Sequence, residues 1–66
     1  MNKEFNIGDI VFFYNQIDNK YYYGFVSIIE FPYLDIIDRP QYRIFLFEQL
    51  NYRDYCWVDH EHLSLV

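Results

Sequence analysis

The chain alternates between short apolar runs and polar turns. Asn6-Ile7-Gly8-Asp9 reads as a turn, with Gly8 supplying backbone freedom. Residues 10–14, Ile-Val-Phe-Phe-Tyr, are branched and aromatic and predict a first strand. Residues 15–20 are polar apart from Ile17 and predict a hairpin loop. Residues 21–30 predict a second strand, the longest in the chain. Gly24 lies inside it, and a mid-strand glycine marks a bend, a bulge or a close backbone approach.

Residues 31–41 are the least regular part. Pro32 and Pro40 bracket the segment, and neither can donate to a strand ladder. Yet it holds Phe31, Tyr33, Leu34, Ile36 and Ile37, too apolar for a simply solvated loop. Residues 42–50 predict a third strand. Tyr42, Ile44 and Leu46 alternate there with Arg43, Phe45 and Phe47, so both faces are largely apolar and period alone does not tell which points inward. Residues 51–54 form a tight polar turn around Tyr52, and residues 55–58 a fourth strand. Asp59-His60-Glu61-His62 suits one 3₁₀ turn capped by Asp59, followed by a brief final strand over 63–66.

Composition strengthens the all-β reading. Ala, the best helix former, is absent, as is Thr. With 66 residues the chain makes one domain, 1–66, because a second core would not fit. Its hydrophobicity excludes disorder, and a lone cysteine, Cys56, excludes a disulfide scaffold. No apolar run approaches the roughly 18–20 residues of a membrane-spanning helix. The opening Met1-Asn2-Lys3-Glu4 carries no secretion signal, so a cytoplasmic location is expected. A net charge of −5 argues against direct nucleic-acid binding, which needs Lys and Arg on phosphates.

Three pieces carry a family likeness: Ile7-Gly8-Asp9-Ile10-Val11, then Tyr22-Tyr23-Gly24-Phe25-Val26, then Cys56-Trp57-Val58 followed by Leu63. A Gly-Asp opening, an aromatic-Gly-x-Val second strand and a closing aromatic-Val resemble the SH3-like small barrel, the group of Tudor, chromo-barrel and KOW domains. The resemblance implies a five-stranded barrel with one 3₁₀ turn before the last strand. The 31–41 segment departs from it, being longer and more apolar than the usual connection. Tudor-like members hold methylated Lys or Arg in an aromatic cage with an acidic neighbour. By strand-end position that implies Tyr14, Tyr21, Tyr52 and Tyr55, with Asp54, as cage candidates. The small acidic chain also resembles, as a class, phage-encoded inhibitor proteins that occupy a surface of host or defence machinery.

Candidate chemistry is sparse. Cys56, Asp59, His60 and His62 fall within seven positions, but a structural zinc site takes four ligands in two separated pairs, and both histidines lie in this one segment. No metal and no cofactor are expected. Cys56 between Tyr55 and Trp57 reads as a core thiol rather than a nucleophile. With no phosphate loop, serine elbow or telling carboxylate pair, no enzyme activity is expected.

The strongest signal is an excess of apolar side chains. A domain this small hides only about 60% of the surface its unfolded chain exposes. Removing all eight tyrosines from the apolar set still leaves more side chains than one tiny core encloses. Large exposed aromatic patches mark interfaces. The expectation is a non-catalytic protein-binding module, with Phe31, Tyr33, Leu34, Ile36 and Ile37 as the contact and Asp35 and Asp38 setting charge preference. The acidity favours a partner with a basic surface. A reader of modified or basic peptides and a homodimeric structural module are the alternatives.

Overall fold

A computed structural model describes residues 5–31 and 40–66. Five antiparallel strands form one sheet: β1 (Ile10–Asn15), β2 (Lys20–Glu30), β3 (Gln41–Leu50), β4 (Arg53–Asp59) and β5 (Ser64–Leu65). A 3₁₀ turn, η1 (His60–His62), precedes β5 as expected. The sheet order is β4-β3-β2-β1-β5. Consecutive strands therefore pair as hairpins until η1 carries the chain to the far side, where β5 joins β1.

The sequence reading expects a closed barrel. Among the described residues the ladder does not close: β4 and β5 are its two edges. A two-residue β5 offers too little backbone to zip the sheet shut. The described residues thus establish an all-β, five-stranded antiparallel sheet compatible with a small barrel-like fold.

Strand ambiguity on β3 is resolved by the pairing. Val26 and Cys56 flank Ile44 across the strands, and Val58 lies opposite Tyr42. That set points inward with Leu46, while Arg43, Phe45 and Phe47 point outward. Phe5, Val11, Phe13, Tyr22, Val26, Tyr42, Ile44, Leu46, Val58 and Leu63 make one buried cluster. Phe5 and Leu63 come from outside the strands and cover its open side. The Phe5 ring meets Tyr42 edge-on at 5.2 Å and His60 at 5.7 Å, which ties the N-terminal segment to β3 and η1.

The turns follow local chemistry. In the opening turn the Asn6 N–H donates to the Asp9 carboxylate at 2.8 Å, and Gly8 takes a φ of 97° that disfavours a side chain. The Gly8 N–H donates to the Val26 carbonyl and the Val26 N–H to the Asp9 carbonyl, so this turn docks onto β2. The docking falls where β2 shifts register between Val26 and Ile28. The extra residue there, Ser27, donates its hydroxyl to the Arg43 carbonyl at 2.9 Å. In the β1–β2 loop the Tyr14 hydroxyl donates to the Asn19 side chain, with Asn19 at a φ of 55°.

Asp59 sits at the N-terminal position of η1 but makes no side-chain cap. This corrects the capping expectation. Its Oδ1 accepts instead from the Gln41 amide at 2.9 Å. The η1 backbone is held by the His60 N–H donating to the Pro40 carbonyl.

Candidate functional site

In a half-solvated antiparallel sheet the outward positions are usually polar. Here the central ones are mostly aromatic. Register alone builds a row across four strands: Ile10 opposite Phe25, Phe25 opposite Phe45, Phe45 opposite Tyr55. Phe25 and Phe45 stack, with centroids 5.4 Å apart and planes 20° from parallel, and Phe47 joins at 6.4 Å from Phe25. One step toward the β1–β2 loop, Phe12 lies opposite Tyr23, with rings 5.5 Å apart. Beyond that, Tyr14 and Tyr21 meet edge-on at 5.0 Å. On the other side Ile28, Arg43 and Trp57 form the next row.

Phe12 and Phe25 are half-buried, and the other rings of these rows remain open to solvent. Ile10, Tyr14, Tyr21, Tyr23, Phe45, Phe47, Tyr55 and Trp57 all stay exposed, with Phe47 at 61%. Arg43 is the cation set among them. Its guanidinium lies 5.0 Å over the Tyr55 ring, and its Nε donates to the Ser27 hydroxyl at 3.2 Å. Two partners hold it in one orientation on the face.

The carboxylates gather away from these rows. Glu30 lies opposite Gln41, and Gln41 opposite Asp59, so a polar row closes one end of the sheet. Near the hairpin end Lys20 pairs with Glu48, and the Asp54 carboxylate accepts from the Gln49 amide. The Tyr22 hydroxyl donates to Asp18, which raises the Tyr22 pKa above the usual phenol range. Between the two ends the apolar rows carry no carboxylate.

The sites read from sequence fall differently. Of the expected contact segment, Phe31 is exposed at the end of β2, while Tyr33, Leu34, Asp35, Ile36, Ile37 and Asp38 lie outside the described residues. Of the cage candidates, the structure brings Tyr14 and Tyr21 together. Tyr55 lies on the edge strand β4, two strands away from Tyr21, with its ring taken by Arg43. Tyr52 stands out from the β3–β4 turn at 92% exposure, with Asp54 beyond it. Sequence reading passed over the outward face as a site. Its signal was present in strands with apolar residues at both odd and even positions.

Cys56 faces inward opposite Ile44, half-buried, and burial alone pushes its thiol pKa above the usual value. It packs against the core, as the sequence suggested. A raised pKa lowers the fraction of reactive thiolate relative to a free cysteine. Asp59, Glu61 and His62 can each bring one ligand atom within 4.8 Å of the others, but all three are exposed at the η1 turn. Exposed carboxylates commonly meet this way without an ion.

Comparison with protein families, with characterised proteins and with solved structures returns no match.

Proposed function

We propose that this chain is a non-catalytic protein-binding module whose contact surface is the outward aromatic face of its sheet. The observation that carries this reading is the four-strand row Ile10–Phe25–Phe45–Tyr55, with Phe47 and Trp57 beside it. Isolated exposed rings are ordinary on a small protein, but a contiguous sheet of them marks an interface. Tyr, Trp and Arg are the residues most often found to dominate binding energy, and Tyr55, Trp57 and Arg43 sit together here. Recognition at this face rests on burying rings, because its apolar rows hold no carboxylate. The fold that presents it is an SH3-like arrangement, supported by the β4-β3-β2-β1-β5 order and the 3₁₀ turn before β5. Where the occupant is a host or defence protein, the module acts as an inhibitor by covering that protein's surface.

Site-specific photocrosslinking tests the reading. Phe47→p-benzoylphenylalanine is expected to give a covalent protein adduct, in the purified sample or in a bacterial lysate. Ile17→p-benzoylphenylalanine, in the exposed β1–β2 loop, serves as the control. Adducts of equal yield from both positions, or none from position 47 in either sample, overturn the proposal.

A further inference from the structure

We infer that the occupant of the aromatic face is a second copy of this chain, the two sheets stacking face to face about a twofold axis. The inference rests on the interaction-face reading above and names its partner.

Area is the first argument. Eight side chains of the outward rows remain between 38% and 61% exposed. A full aromatic side chain presents about 150–250 Å². Half of that at the seven aromatic positions, with the Ile10 side chain added, offers about 800 Å² per protomer, which is what a stable interface of standard size takes from each partner. The face as it stands is large enough for a dimer with no further element.

Charge is the second argument. The chain carries −5, which by itself favours a basic partner. The centre of the face does not share that charge. Glu30 and Asp59 lie in the polar end row, Glu48 and Asp54 near the hairpin end, and Arg43 stands among the rings. A strongly basic surface would meet an arginine here and no carboxylate in the apolar rows. A second copy is a better match: it presents an equally apolar face whose carboxylates lie in the end rows and whose Arg43 is already tied to Tyr55 and Ser27.

Need is the third. The described core holds ten buried hydrophobic residues. Domains of this length are marginal on one core, and association is a common source of the missing burial. Two such sheets stacked at the usual separation of about 10 Å would enclose a second apolar layer between them.

Sedimentation equilibrium of the full chain, from low micromolar to several hundred micromolar, tests this directly. The expected result is a monomer–dimer equilibrium that tightens as sodium chloride is raised. Salt screens the repulsion between two acidic chains and leaves ring burial intact. Phe47→Lys is expected to weaken the dimer about tenfold or more. The lone tryptophan, Trp57, reports on the face in the unsubstituted protein, so its emission should shift to the blue in step with the rise in mass. A wild-type protein that stays monomeric throughout overturns the inference. So does a dimer formed without a Trp57 shift, or one that folded Phe47→Lys leaves unchanged. A monomer that still crosslinks a foreign protein from position 47 overturns the second copy alone and leaves the interaction face standing.

Discussion

Gly24 lies directly against the main chain of Phe45. A Cβ built on Gly24 would stand 2.2 Å from the Phe45 carbonyl oxygen and 2.8 Å from the Ile44 side chain. Backbone cannot move aside as a flexible side chain can. Gly24→Ala is therefore expected to cost about 3 kcal/mol, at the upper end for overpacking. Urea unfolding followed by far-UV circular dichroism measures it. Gly8 makes the useful contrast. It has open space around it but a φ of 97°, so Gly8→Ala carries backbone strain alone and should cost about 1–2 kcal/mol. Equal costs at the two positions would show that the Gly24 contact is relieved by movement of β3.

The β3–β4 turn holds a correctable strain. Asn51 and Tyr52 both have positive φ, 55° and 66°, the pattern for which Asn-Gly is the favoured pair. Tyr52 is almost fully exposed, so its ring adds little packing. Tyr52→Gly should stabilise the fold by about 1 kcal/mol and raise the melting midpoint by about 5 °C. A lowered midpoint in a thermal melt would show that the Tyr52 ring makes contacts that outweigh the strain.

Phe5 closes the inner face from outside the strands. It is buried and sits against Tyr42 and His60. Phe5→Ala should cost about 3–5 kcal/mol, the range for emptying a buried aromatic site. If the segment before β1 were a loose tail, the cost in urea unfolding would be within about 0.5 kcal/mol of zero, as at ordinary surface positions.

Cys56 makes a pH prediction. Burial raises its pKa, so the folded state holds the thiol proton more tightly than the unfolded chain does. The stability from this source is fully present below the unfolded thiol pKa and is lost as pH rises through the higher folded value. Alkylation of native Cys56 should follow the same shift. Its rate should reach half-maximum above the value of about 8.5 for a free cysteine. A midpoint at or below the free value would mean that the thiol is solvated and poised for chemistry.

Local patterning carried most of the secondary structure. Branched and aromatic runs mark strands, and Gly8 and Asn51 mark turns, because these preferences act over a few neighbouring residues. β1, β2 and β3 accordingly lie within a residue of where alternation and turn signals place them, and β4 starts two residues earlier than expected. Gly24 was also legible as a special position, although sequence left open whether a bend, a bulge or a close approach was the cause.

What sequence could not decide was direction. Tyr42-Arg43-Ile44-Phe45-Leu46-Phe47 is apolar on both sides, so one strand read alone has no inside. Pairing across strands breaks the tie: Ile44 falls between Val26 and Cys56, and Phe45 between Phe25 and Tyr55. The surplus of apolar side chains was therefore set by composition, while its location on the outward face was set by register. Register depends on partners many residues away, and a shift of one residue sends every side chain to the opposite face.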